Sequence, residues 1–274
     1  MKPSQKVAVG IVGCGAIGSR IAKSVTRELK SFCRLTALYD IDLTRAGMLE
    51  RNLRARGIVK RSFAQLLNNC DLMVEAVSAP VTRPLIRQAL SSGKNVLAMS
   101  VGKLLNAQDL FALASRKGCK ILIPSGAIAG IDALKAAGLV PIQSITLTTR
   151  KPVSGFANNP YIKKHGIDLA QIRGETVLFE GGVAAAVKAF PQNINVAATL
   201  ALASRAANKL TIRILTSPDY QTNSHEIEVT GESGRITTRT DNVVCPDNPK
   251  TSYLAVLSGI QTLREFCLGA RIGT

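Results

Sequence analysis

Tryptophan is absent from the 274 residues, and phenylalanine and tyrosine together make up only 4% of them. So few rings leave little to stack on bases, which weighs against a nucleic-acid binder. Acidic residues are scarce: 18 Asp and Glu face 35 Lys and Arg, a formal net charge of +17. The basic residues are spread along the whole chain, with one dense cluster at Arg51–Arg61. A solvated basic surface explains this, and so does steering of anionic small molecules. No apolar run approaches the ~18 residues of a membrane helix, and Met1-Lys2-Pro3-Ser4-Gln5 leads into a strand pattern, not a signal peptide. The six cysteines show no C-x-x-C spacing. That argues against a zinc site or a disulfide framework and predicts a reduced, cytoplasmic protein. The expected partners therefore exclude nucleic acid, membrane and metal.

What is present begins at Val7. Val7, Val9, Ile11 and Val12 are β-branched and nearly continuous, the pattern of a parallel strand covered on both faces. Gly13-Cys14-Gly15-Ala16-Ile17-Gly18 follows, a G-x-G-x-x-G turn opening a helix. Gly13 permits the tight turn, Gly15 lets backbone approach a pyrophosphate, and Gly18 lets helix and strand pack closely. The helix start at Ala16 and Ile17 offers N–H groups to phosphate. Asp40 ends the next strand, where a carboxylate can accept both adenosine ribose hydroxyls and disfavours a 2′-phosphate. This predicts a dinucleotide site with NAD favoured over NADP. The Arg51–Arg61 cluster leaves dual use open, and a helix N-cap is the competing role for Asp40.

Apolar runs at Leu35–Tyr39, Leu72–Val77, Val96–Met99 and Ile121–Ile123 alternate with helical stretches at 16–30, 43–56, 63–69, 81–92 and 107–117. The alternation predicts an α/β fold with a doubly wound parallel sheet. Gly57, Gly93 and Gly118 fall where helix C-caps are expected. Near residue 133 the pattern changes. Ile142–Arg150 and Thr211–Thr216 alternate as half-buried strands, and Gly231-Glu232-Ser233-Gly234 joins two more as a hairpin. An alanine-rich helix is expected from Pro191 to Asn208 and a last one from Thr251 to Leu268. The expected division is a dinucleotide domain, 1–132, completed by the helix within 251–274, and a second α+β domain, 133–250, with a mixed or antiparallel sheet.

Several residues carry candidate chemistry. Ser78 and Ala79 follow a strand carboxyl end, suiting either the nicotinamide ribose or a plain helix start with Pro80 at its first position. Ala127 lies in Pro124-Ser125-Gly126-Ala127-Ile128, whose small residues suit a ligand or a close-packed junction. By period two, His225, Ile227 and Val229 share one face of a strand. His225 is either a general base or a satisfied core histidine. His165 lies in a polar loop and reads as a surface residue. Asn193 and Asn195 open the alanine-rich helix, where one can cap and the other can bind an amide or a carboxylate.

Taken with Ser100-Val101-Gly102, Phe179-Glu180-Gly181, Phe190-Pro191-Gln192-Asn193, Asn223-Ser224-His225 and Asp247-Asn248-Pro249-Lys250-Thr251-Ser252, these motifs resemble the L-aspartate dehydrogenase family across both halves of the chain. The resemblance implies a Rossmann domain plus a dehydrogenase-type substrate domain that also forms a homodimer. It implies NAD contacts at Ala127 and Asn193 and an active-site role for His225. It further implies oxidative deamination of L-aspartate to iminosuccinate, then oxaloacetate and ammonia, feeding NAD biosynthesis. Such a substrate needs cationic partners for two carboxylates, with Arg150, Lys151 and Lys164 as candidates. Lys103 departs from the small residue expected after Ser100-Val101-Gly102. Two alternatives stand beside this: another two-domain reductase of a semialdehyde or imine, and a dinucleotide-binding protein without turnover.

Overall fold

The computed structural model describes residues 6–77, 80–190, 194–246, 248–268 and 272–273. Strand β1 (Val7–Val12) is buried from Ala8 onward and runs through the glycine turn into α1 (Ala16–Thr26). There follow β2 (Cys33–Tyr39), α2 (Leu43–Asn52), α3 (Phe63–Asn68), β3 (Leu72–Glu75), α4 (Thr82–Ser91), β4 (Asn95–Ala98), α5 (Gln108–Arg116) and β5 (Ile121–Leu122). The five strands pair in parallel in the order β2-β1-β3-β4-β5. The order reverses between β1 and β3, so their carboxyl ends flank the switch point where such sheets bind ligands.

The two faces of β1 explain why the sheet is doubly wound. Val9 and Ile11 join Ile21 and Val25 of α1 and Leu49 of α2 in one buried cluster. Gly10 faces the other way, and a Cβ there would lie 3.0 Å from Cys70 and 3.2 Å from Leu66 of α3. A side chain at Gly10 would push α3 off the sheet.

Several helices end earlier than expected, α1 at Thr26 and not Lys30 and the alanine-rich helix at Ser204 and not Asn208; two further boundary differences have a visible cause. Helix α2 stops at Asn52, not Arg56, because Arg54 turns the chain with φ 54° and its N–H returns to the Arg51 carbonyl. The released segment then runs beside β2, with Val59 bridged to Leu38. Gly57 therefore caps nothing on α2, whereas Gly93 and Gly118 take positive φ just past α4 and α5. Helix α4 starts at Thr82 with Val81 as its N-cap, so Pro80 precedes the helix and does not occupy its first turn.

The second sheet is built from β6 (Ile142–Pro152), β7 (Thr176–Gly182), β8 (Leu210–Ser217), β9 (Asn223–Gly231) and β10 (Gly234–Asn242). Their order is β10-β9-β6-β8-β7; only β6 and β8 run parallel, so the sheet is mixed. The β9–β10 hairpin turns at Glu232-Ser233, with Gly231 paired to Gly234 at φ +105°. Helix α6 (Ile131–Ala137) precedes β6, and between the strands lie α7 (Pro160–Lys164), α8 (Val183–Ala189) and α9 (Ile194–Ser204). The start expected for α9 at Pro191 lies outside the described residues. Strands β7 and β11 (Val244–Cys245), β12 (Asn248–Ser252) and helices α7 and α8 had no counterpart in the sequence reading.

Contacts divide the chain into two compact units, Met1–Pro124 with Val256–Arg271, and Ser125–Ala255 with Ile272–Thr274. Most of the last helix, α10 (Tyr253–Cys267), thus belongs to the first unit. There Leu263 is fully buried in the β1–α1 cluster, and Gly259 lies so close to Met99 that a Cβ would come within 2.7 Å of it. Among the described residues, no helix is long and apolar enough to cross a membrane.

Candidate functional site

In the first unit the three glycines do three different things. Gly13 has φ +92°, and a Cβ on it would meet the Ala76 carbonyl at 2.4 Å. A Cβ on Gly18 would lie 1.9 Å from the Gly13 carbonyl oxygen. These two are glycine for packing. Gly15 is different: a Cβ there would meet nothing within 4 Å. It is the N-cap of α1 with no side-chain cap, and the first turn holds no acidic residue. Ala16 and Ile17 continue this turn, so unshielded backbone N–H groups and the positive helix end border open space, which fits a pyrophosphate.

Asp40 holds the turn in place. It is 8% exposed. Its Oδ2 accepts from the Cys14 N–H at 2.7 Å and its Oδ1 from the Asp42 N–H at 3.0 Å. Burial and the Asp40 charge push the Cys14 thiol up to about 12. The N-cap of α2 is Asp42, whose side chain accepts from Thr44 N–H, so Asp40 does not serve as the cap. A carboxylate offers about four acceptor sites, and two backbone bonds leave capacity for a ribose diol.

Beside the switch point the sequence reading missed Glu75. It ends the otherwise apolar β3 and is wholly buried. Its Oε2 accepts from the Ser100 N–H at 3.1 Å. Oε1 meets Ser100 Oγ at 2.9 Å, Thr82 Oγ1 at 3.1 Å and the Val77 N–H at 3.3 Å. Burial pushes its carboxyl upward. Glu75 thereby ties the loop after β3 to the start of the turn after β4. The signal was a lone acid in a buried apolar run. Ser78 and Ala79, in the same loop, lie outside the described residues. Lys103 is exposed on the short helical turn Val101–Leu104.

The second unit carries a polar cluster at one end of an apolar sheet face. Ile145 and Leu147 of β6 pair with Val229 and Ile227 of β9 and with Leu210 and Ile212 of β8. Further along the same face the residues become polar: Thr149 pairs with His225, Lys151 with Thr216, and His225 with Thr240. His225 is 7% exposed, and its Nδ1 lies 3.0 Å from Thr149 Oγ1. Burial, then the charge of Lys151, pull the imidazole down to about 4. Burial pulls the Lys151 ammonium down to about 8. His225 is thus neutral at neutral pH. With Nδ1–H donating to Thr149, its Nε2 lone pair can take a proton.

Ala127 joins this cluster. It is 4% exposed, and its carbonyl accepts from Thr240 Oγ1 at 2.8 Å and Asn242 Nδ2 at 3.1 Å. Thr149, Thr240 and Asn242 had escaped the sequence reading, because threonine and asparagine on a strand carry no pattern until register aligns them with His225. Arg150 is not in the cluster. It alternates to the opposite face and pairs with Glu226 at 3.1 Å and Glu175 at 3.3 Å. Glu175 is also bonded by the Tyr220 hydroxyl. Lys164 is exposed at the end of α7, not on the strands that carry the cluster. Asn195 is exposed in the first turn of α9, and Asn193 lies outside the described residues.

Comparison with known proteins gives a consistent picture. Residues 13–124 match the family model described as homoserine dehydrogenase, NAD binding domain, and residues 132–266 the one described as aspartate dehydrogenase, C-terminal. The chain is 41% identical over 269 residues to an L-aspartate dehydrogenase of Methanosarcina barkeri, covering 97% of this chain and 99% of that one. It is 42% identical over 270 residues to the one of Methanosarcina mazei, with the same coverage. The crystal structure of an aspartate dehydrogenase from Thermotoga maritima shares the fold, with a TM-score of 0.72 and 24% identity over 98% of this chain and all of the other.

Proposed function

Because the chain belongs to the aspartate dehydrogenase family, we propose that it oxidises L-aspartate to iminosuccinate, with His225 as its general base. NAD is the cofactor, and when bound it supplies the acceptor for the hydride that leaves Cα of aspartate. Gly13, Gly15, Ala16, Ile17 and Gly18 present the phosphate turn, and Asp40 anchors it and receives the ribose. The observation that carries the reading is the buried neutral imidazole on Thr149 beside Lys151. The amino group of aspartate must lose a proton as Cα is oxidised, and Nε2 of His225 takes it. The imine product hydrolyses to oxaloacetate and ammonia. Ala127, Asn193, Asn195, Ser78 and Ala79 serve the cofactor in this reading.

Purified protein with L-aspartate should reduce NAD, and with oxaloacetate plus ammonia should consume NADH. L-glutamate and homoserine should turn over far more slowly. Rates that favour either of those substrates would replace the aspartate reading with that of another two-domain reductase. No turnover with any of them would leave a dinucleotide-binding protein. NADP used as well as NAD would mean that the Asp40 carboxylate does not discriminate.

Lys151 is the cation best placed for a substrate carboxylate, since it shares the face of His225 while Arg150 does not. A lysine titrating at about 8 holds an anion only below that pH. The dissociation constant of succinate for the NADH-loaded enzyme should therefore rise above pH 8, by up to about ten-fold per pH unit. Lys151→Met should bind succinate weakly at every pH, without that limb. A wild type whose succinate affinity is flat from neutral pH upward would remove Lys151 from the role.

Family resemblance supports a homodimer and a place in NAD biosynthesis. Six free thiols support a reduced, cytoplasmic setting.

A further inference from the structure

Asn242 ends β10 and is 4% exposed. Its Nδ2 donates to the Ala127 carbonyl at 3.1 Å and to Thr240 Oγ1 at 3.2 Å. The carbonyl can only accept, so the amide nitrogen must face it, and the atom turned away is the oxygen. That Oδ1 is buried and has no hydrogen-bond partner among the described residues. Buried acceptors are almost always paired, and one left unmade weakens the fold. What it lacks is an N–H or O–H donor.

The register says where that donor belongs. Thr240 is directly opposite His225, and Asn242 is the next residue of β10 on the same face, opposite Asn223. Thr149 flanks His225 from β6, with Lys151 one step further along that face. The orphan oxygen thus lies at the polar end of the sheet face that carries the base. Two carboxylates of aspartate are acceptors and suit Lys151. Its one donor group is the α-amino group.

We propose that Asn242 is a substrate-binding residue whose Oδ1 accepts a hydrogen bond from the α-amino group of aspartate. The bond selects an amino acid over the dicarboxylate lacking nitrogen, and it sets the direction in which the amino group meets His225. The proposal rests on the aspartate reading above.

Succinate has both carboxylates and no amino group, so the pair L-aspartate and succinate isolates the bond. Calorimetric titration of each into NADH-loaded enzyme gives two dissociation constants without turnover. In Asn242→Ala the aspartate constant should rise about ten-fold or more, and the succinate constant should change less than about two-fold. Thr240→Val removes the other side-chain anchor on Ala127 and keeps Oδ1, so the ratio of the two constants should stay as in wild type. Asn242→Asp keeps an acceptor and carries the test if the alanine variant does not fold: preference for aspartate over succinate should be retained or rise, and a fall overturns the proposal. Equal weakening of aspartate and succinate in Asn242→Ala overturns it too and leaves the aspartate reading standing. Weakened NADH binding with an unchanged aspartate-to-succinate ratio assigns Oδ1 to the nicotinamide carboxamide instead. A wild type that binds neither dicarboxylate overturns the aspartate reading and this proposal together.

Discussion

His225→Ala is expected to lower kcat for aspartate oxidation by about two or more powers of ten, with a much smaller effect on KM. In the proposed reading the neutral imidazole is the base; its Nδ1 lies 3.0 Å from Thr149 Oγ1. On that reading alanine removes the proposed proton acceptor and keeps Lys151, the proposed carboxylate partner. The same variant has a signature in stability. In the folded protein His225 titrates at about 4, against 6.5 for an ordinary histidine. Between those values the unfolded chain binds a proton that the folded one refuses, so wild-type stability falls as pH drops through that window. The alanine variant should lose less stability over the same range. Wild-type turnover in His225→Ala, measured with saturating aspartate and NAD, would remove the base from the mechanism.

The second large effect separates two glycines of one turn. Gly13→Ala should destabilise the protein by about 3 kcal/mol or more, from a left-handed backbone and a lost close packing. The new methyl must also displace the Ala76 carbonyl, 2.4 Å away. In a chain of this size that lowers Tm by on the order of 10 °C. Gly15→Ala should leave Tm nearly unchanged, since its methyl enters open space. In the proposed reading that space is where the pyrophosphate comes nearest the backbone, so the NAD dissociation constant should rise about ten-fold or more, as for a loss of one or two charge-assisted bonds. Thermal unfolding and NADH titration of both variants decide it. A Gly15→Ala protein with wild-type NADH affinity would place the cofactor phosphates elsewhere.

The first unit was the more legible because its signals are local. Val7–Val12 is strand from end to end where the β-branched run stands, and the glycine turn follows at once. Gly93 and Gly118 mark helix ends because no other residue nearby takes positive φ. Gly57 misled for the opposite reason: Arg54 made the turn first, a choice that reflects the docking of Val59 on β2 and not any local preference. In the second unit the strands were visible but their register was not. Arg150 and Lys151 are neighbours of like charge in sequence, and only the pairing of Thr149 with His225 puts one on the site face and the other against Glu226. Glu75 could be seen as odd, but its four hydrogen bonds come from three residues, Val77, Thr82 and Ser100, in separate segments. The wholly buried polar groups were the hardest to read, because their meaning lies in contacts that span the unit.

The return of α10 to the first unit has a consequence for how the protein is made. Residues 125–255 form an insertion within the chain that builds the parallel-sheet unit. Leu263 and the Gly259 contact with Met99 belong to that unit's interior but are translated only after the whole insertion. The nascent parallel sheet must therefore wait, with part of its apolar face bare, until the mixed-sheet unit has emerged from the ribosome. During that interval the hydrophobic surface awaiting α10 is where chaperones or a neighbouring nascent chain would find purchase.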